Sequence, residues 1–204
     1  QMVAPFVAGI FDGMGGHEDG REHAVAAATV AETLVEKART TEPAPALLVR
    51  ILSTASVQLA AQFGRRDHFH GSKGDTTATL LHFDPERLRL TFGQVGDSAA
   101  ILVRGSCFEI ITPVHNLPFA HHRLTRALKH NGALPVDYPD RERSEGPNVA
   151  GVELETGDVV LLCTDGLTDL LTDAEISEIL EIPVTPQAKV DALIELALAE
   201  GGKD

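Results

Sequence analysis

The chain has 204 residues, 30 of them acidic and 17 basic, for a formal net charge of −13, with 43% hydrophobic and 23% charged side chains. That balance suits a folded domain with its own core, and so negative a chain disfavours nucleic acid and anionic membrane as partners. Cys107 and Cys163 make no disulfide framework and fit a reducing cytoplasm, no apolar run reads as a bilayer span, and no leader-like segment opens the sequence.

The first apolar run, Phe6 to Phe11, predicts a strand ending at Asp12-Gly13. Ala24, Ala28, Ala31 and Val35 then fall at helical spacing and predict a helix over 21–39. A proline-punctuated break at 42–45 precedes a second helix that ends near Phe63, and the polar stretch 64–74 reads as a loop. Periodicity changes next. The runs 76–83 and 88–95, with Asp84-Pro85-Glu86-Arg87 between them, predict a hairpin, and 99–104 with 108–112 predict another around Gly105-Ser106.

A short helix is expected over 121–131, stopping at Gly132, followed by an exposed loop over 138–148. A third hairpin is expected over 149–154 and 158–164, turning at Thr156-Gly157. Thr172-Asp173-Ala174-Glu175 spells a capping box, Thr185-Pro186 opens a last helix, and Gly201-Gly202 ends it. Neither repeat nor linker interrupts the chain. The expectation is one domain over 1–204 of the α+β class, hairpin sheets covered by helices.

Two strands in this reading end in the same way. Phe6–Phe11 runs into Asp12-Gly13-Met14-Gly15-Gly16-His17, and Val159–Thr164 runs into Asp165-Gly166-Leu167-Thr168-Asp169. A carboxylate just past a buried strand is held by a rigid element, and the glycine after it lets the backbone turn and approach a ligand. Asp97, in Gly96-Asp97-Ser98, again follows an apolar strand, and Asp204 follows a helix stop in Gly201-Gly202-Lys203-Asp204. Any single Asp-Gly pair is explained as a turn. Four carboxylates in such settings are the right chemistry for Mg²⁺ or Mn²⁺, which take oxygen ligands and keep several waters.

Phe11–His17, Gly74-Asp75-Thr76-Thr77-Ala78, Val95-Gly96-Asp97-Ser98 and Cys163–Asp169 resemble, in order and over most of the chain, the motifs of the type 2C metal-dependent protein phosphatases, the PPM family. Met14 resembles the bacterial members. The resemblance implies a sandwich of two antiparallel β-sheets flanked by helices, four layers in the order αββα, with a binuclear Mn²⁺ or Mg²⁺ site at one end. It implies that Asp12 bridges the metals, that Gly13 binds one through its carbonyl, and that Asp165 and Asp204 complete the second. Asp97, with Asp165 or Asp169, would sit at a third metal. Asp12 and Asp165 are thereby the catalytic candidates. The implied activity is hydrolysis of phosphoserine or phosphothreonine in proteins by a metal-bridged hydroxide that attacks phosphorus in line. A phosphorylated protein is the implied partner, and the chain is expected to act as a monomer.

The chain departs from the family pattern in places. Family members carry a phosphate-binding Arg and an acidic pair on a strand before the position of Gln1, and an Asn after the last Asp, so the domain reads as incomplete at both ends. Met14 stands where some members place a proton-donating His, and Val114 occupies the Asp position of a Thr-x-Asp-His segment at 112–115. No substrate-binding residue is assigned. His17 is a candidate to hydrogen-bond a metal-bound water, while His68 with His70 and His121 with His122 lack further zinc ligands at suitable spacing. Arg65-Arg66 is a candidate anchor for an acidic substrate. Two other readings are a regulatory, phosphoprotein-binding domain with weak catalysis and a serine esterase built on Gly96-Asp97-Ser98.

Overall fold

A computed structural model describes residues 6–14, 18–38, 42–64, 74–113, 115–117, 120–124, 127–129 and 148–202. The elements in chain order are β1 (Phe6–Ile10), β2 (Gly13–Met14), α1 (Glu18–Glu36), α2 (Ala44–Phe63), β3 (Asp75–Thr76), β4 (Ala78–Asp84), β5 (Arg89–Val95) and β6 (Ala99–Arg104). There follow β7 (Cys107–Ile110), β8 (Asn116–Leu117), β9 (Ala120–Leu124), β10 (Leu128–Lys129), β11 (Asn148–Glu153), β12 (Val159–Cys163), α3 (Asp165–Thr168), α4 (Asp173–Glu181) and α5 (Pro186–Ala199). Every strand pairing among them is antiparallel.

One sheet runs β1-β4-β5-β11 and another β12-β6-β7, with small sheets β10-β3-β2 and β8-β9 beside them. The period-two alternation of each strand stacks the layers. In β4, Leu80 packs with Leu48, Leu52 and Ala27 of the helices, while its neighbour Leu81 joins Phe92, Ala100, Val160 and Leu162. In β6, Ala100 faces the first sheet, while Ile101 packs with Leu161, Ile176 and Leu193. The order is therefore helices α1 and α2, sheet, sheet, helices α4 and α5. Strands β5 and β6 are covered on both faces, which is why almost every residue in them is buried.

Helix α2 is 20 residues long with a mean hydropathy of 1.4, long and apolar enough to cross a membrane. This corrects the sequence reading that no segment reaches that mark. Leu48, Ile51, Leu52 and Ala55 of α2 are fully buried in the core formed with α1 and β4. The capping box of α4 is present: Glu175 N–H donates to Thr172 Oγ1 at 3.3 Å, and Thr172 N–H donates to Glu175 Oε2 at 2.8 Å.

Three expectations are corrected. The described residues of the helix expected over 121–131 are strands instead: β9 pairs with β8 across 120–124, and β10 pairs with β3. Inter-strand hydrogen bonding there overrides the helical propensity of Leu124, Ala127 and Leu128. The third hairpin is also absent. Strand β11 joins β5 and strand β12 joins β6, so the turn at 156–157 carries the chain from one sheet to the other. Arg104 anchors that passage with a bidentate pair to Asp158, at 2.9 and 2.7 Å. Asp165 opens a one-turn helix, α3, where only a turn was expected. Most of the two expected loops, 64–74 and 138–148, lies outside the described residues.

Candidate metal centre

Asp12 sits between β1 and β2, and its backbone is committed on both sides. Its N–H donates to Thr77 Oγ1 at 3.0 Å. Its carbonyl accepts from Thr77 N–H at 2.8 Å and from Thr76 Oγ1 at 2.9 Å. Gly13 opens β2 opposite Thr76. A β-carbon on Gly13 would stand 2.2 Å from the Gly20 carbonyl oxygen, so helix α1 touches this turn backbone to backbone.

Asp97 occupies the turn between β5 and β6. Gly96 enters that turn at φ +112°, and a β-carbon there would meet Thr77 Cβ and Cγ2 at 2.6 Å. Glycine is thus required twice over, by conformation and by space. The turn is clamped by buried polar groups. Gln94 Nε2 donates to the carbonyls of Gly96 (3.1 Å), Ser98 (2.6 Å) and Pro113 (2.9 Å). His115 accepts the Gly96 N–H at Nδ1 (3.1 Å), and its backbone N–H donates to the Gly96 carbonyl (3.1 Å).

Asp97 is only 8% exposed. Burial pushes its carboxyl up to about 7, and the negative charge of Asp165, then of Asp12 and Asp169, pushes in the same direction. The four carboxylates therefore share one neighbourhood although they come from three distant stretches of chain. Asp165 opens α3 and Asp169 closes it, with Asp169 N–H donating to the Asp165 carbonyl at 2.8 Å. Asp204 and His17 lie outside the described residues, as do Arg65, Arg66, His68, His70 and Val114.

Among the described residues, no group of three or more His, Cys, Asp or Glu side chains is arranged to hold a metal ion by itself. The donor set still fits hard divalent cations. Such ions bind through few carboxylates and keep several waters, and they relieve the repulsion that adds to burial in raising Asp97. Zinc in a closed structural site would instead call for the Cys and His clusters that the described residues lack.

Other sequence candidates, and His23 beside the first motif, fall elsewhere. Ser98, the esterase nucleophile of the alternative reading, is 0% exposed, and its Oγ lies 2.8 Å from Thr77 Oγ1. A nucleophile enclosed in this way is out of reach of a substrate. His23 is fully buried in α1 and stacks on Phe63, ring centroids 3.9 Å apart, which makes it a core residue. His121 and His122 fall on strand β9. Sequence reasoning missed the supporting roles of Thr77, Gln94 and His115. The signals available were Gln94, a polar residue late in β5, and the presence of Thr77 and His115 inside the motifs at 74–78 and 112–115.

Comparison with known proteins fits this geometry. Residues 6–204 match the family described as Stage II sporulation protein E (SpoIIE). The chain is 32% identical over 212 residues to the serine/threonine protein phosphatase PstP of Mycobacterium tuberculosis, covering 95% of this chain and 37% of that protein. It is 28% identical over 210 residues to the protein phosphatase PhpP of Streptococcus pneumoniae, covering 95% and 80%. The crystal structure of the PstP catalytic domain in complex with two manganese ions superposes with a TM-score of 0.79 at 28% identity, over 97% of this chain and 83% of that one. With the αββα layering and the gathered carboxylates, these likenesses place the chain in the SpoIIE family of type 2C phosphatases.

Proposed function

We propose that this chain is a metal-dependent protein-serine/threonine phosphatase that hydrolyses phosphoserine and phosphothreonine in protein substrates. It acts as a cytoplasmic monomer, with neither nucleic acid nor membrane as partner. The observation that carries the reading is the convergence of Asp12, Asp165 and Asp169 on the buried Asp97, whose carboxyl is pushed up to about 7 by burial first and then by their charges. The phosphatase relatives and the manganese-bound PstP domain support it.

In this reading Asp12, the Gly13 carbonyl, Asp165 and Asp204 hold two divalent cations, Mn²⁺ or Mg²⁺, and Asp97 with Asp169 holds a third. Bound there, the cations supply an activated water and neutralise charge on the phosphoryl oxygens. Asp12 keeps its direction because three hydrogen bonds fix its backbone. Asp165 keeps its position because it is the first residue of α3, with one residue between it and strand β12, whose Leu161 and Cys163 are buried. With its carboxyl pushed up to about 7, Asp97 is partly protonated near neutral pH in the metal-free chain, and loading its position would release that share of proton. The net charge of −13 would repel a phosphorylated protein, and the cations reverse that field locally.

The test is hydrolysis of a phosphothreonine peptide and of an aryl phosphate, with and without Mn²⁺, in the wild type and in Asp165→Asn. Mn²⁺-dependent turnover that falls at least a hundredfold in the variant is expected. Metal-independent turnover, or full activity in Asp165→Asn, overturns the reading.

A further inference from the structure

The two turns that carry Asp12 and Asp97 come from different strands and are separated by 85 positions, yet they meet at one side chain. Thr77 Oγ1 accepts the Asp12 N–H at 3.0 Å and lies 2.8 Å from Ser98 Oγ. Its N–H donates to the Asp12 carbonyl at 2.8 Å. Its Cβ and Cγ2 fill the space that Gly96 leaves open. Thr77 is 1% exposed and Ser98 0%, so neither can touch a substrate. Ser98 carries the link onward, since its carbonyl accepts from Thr79 Oγ1 at 3.1 Å and from Gln94 Nε2 at 2.6 Å.

From this juxtaposition we infer that Thr77 is a positioning residue: its hydroxyl, with that of Ser98, sets the separation of the Asp12 and Asp97 turns and thereby the affinity of the centre for a divalent cation. The inference rests on the reading of these carboxylates as a cation site. A hydroxyl suits the task because one oxygen can accept from a backbone N–H and still share a proton with a second hydroxyl. Valine has the same shape but cannot accept. Thr77→Val would leave the Asp12 N–H facing a methyl group, and the turn would relax to find another partner. Partners one step behind a metal ligand change affinity by about ten- to a hundredfold when removed.

The experiment is calorimetric titration of the full chain with Mn²⁺, with melting temperature and the kcat and KM of a phosphothreonine peptide measured alongside. Variants are Thr77→Val, Thr77→Ser and Ser98→Ala. Thr77→Val is expected to weaken Mn²⁺ binding about tenfold and to lower kcat more than it raises KM. Thr77→Ser, which keeps the oxygen, is expected to stay within about twofold of wild type, and Ser98→Ala to weaken binding about threefold. Wild-type Mn²⁺ affinity in a folded Thr77→Val overturns the inference, as does equal loss in Thr77→Ser and Thr77→Val, which would assign the effect to the methyl group. If Thr77→Val does not fold, unchanged affinity in Ser98→Ala overturns it. Absence of Mn²⁺ binding by the wild type overturns the cation reading itself, and this inference with it.

Discussion

Gly13 and Gly20 are in backbone contact: a β-carbon on Gly13 would lie 2.2 Å from the Gly20 carbonyl oxygen, and one on Gly20 would lie 2.7 Å from the Gly13 carbonyl. The turn behind Asp12 and the first turns of α1 are therefore packed as closely as two backbones allow. Gly20→Ala must move the helix off the turn, because the clash is with main-chain atoms that cannot rotate away. The expected cost is about 1–3 kcal/mol in urea unfolding, with lower Mn²⁺-dependent turnover. Unchanged stability and turnover in Gly20→Ala would show that α1 is not held against the turn.

Asp97 links the same site to pH. Its carboxyl lies near the ordinary 3.8 when unfolded and near 7 when folded, with burial the main cause and Asp165 the next. Across that window the metal-free folded chain keeps a proton that the unfolded chain has released. Stability contributed by this group is therefore full below about pH 4 and falls as pH rises toward 7. Asp97→Asn should remove that slope, so the difference in unfolding midpoint between variant and wild type should widen with pH. Saturating Mn²⁺ should stabilise the wild type more at pH 7.5 than at pH 5, because its proton no longer competes. Parallel pH profiles for the two metal-free proteins would contradict the placement of Asp97.

The cysteines should separate cleanly in a thiol titration. Cys107 is exposed at the start of β7. Cys163 is buried at the end of β12, and its thiol is pushed up to about 12 by burial, with the charge of Asp165 adding to it. Since the thiolate is the reactive form, one equivalent of an aromatic disulfide reagent should react with the native protein at pH 8. The second should appear only on unfolding. Fast reaction of two thiols would mean that the strand leading to Asp165 opens readily.

Thr172 caps α4, the helix that seats Ile176 and Leu180 in the core against β6 and β12. Thr172→Ala removes the acceptor for the Glu175 N–H. A loss of about 1 kcal/mol is expected in urea unfolding, with Mn²⁺ affinity unchanged because α4 lies on the outer layer. A large loss of affinity would instead tie this helix to the centre.

Much of the molecule was legible in residue order. Helices α1, α2, α4 and α5 follow from apolar spacing, the capping box and Thr185-Pro186, and the hairpins β4–β5 and β6–β7 from runs joined by short turns. Asp12, Asp97 and Asp165 stood out because each follows a strand end. These are local signals, carried within a few positions of the residue concerned. The segment 120–129 misled because its propensity is helical, while its structure is decided by β3 and β8, strands that a local pattern does not reveal.

The tertiary structure decided the rest. The runs 149–154 and 158–164 look like a hairpin in sequence, yet they belong to two sheets, the first paired with β5 and the second with β6. Nothing near Asp97 in sequence predicts a carboxyl near 7. That value comes from burial and from Asp165, Asp12 and Asp169, whose charges meet only after the sheets stack. Thr77 is the same case in smaller form: one hydroxyl in a short motif becomes the joint between two turns because folding sets Asp12 on one side of it and Ser98 on the other. Sequence by itself determined which residues could bear the chemistry, because side-chain type and local backbone habit are written in it. Folding decided which of them share a site, because proximity and burial depend on contacts between residues far apart in the chain.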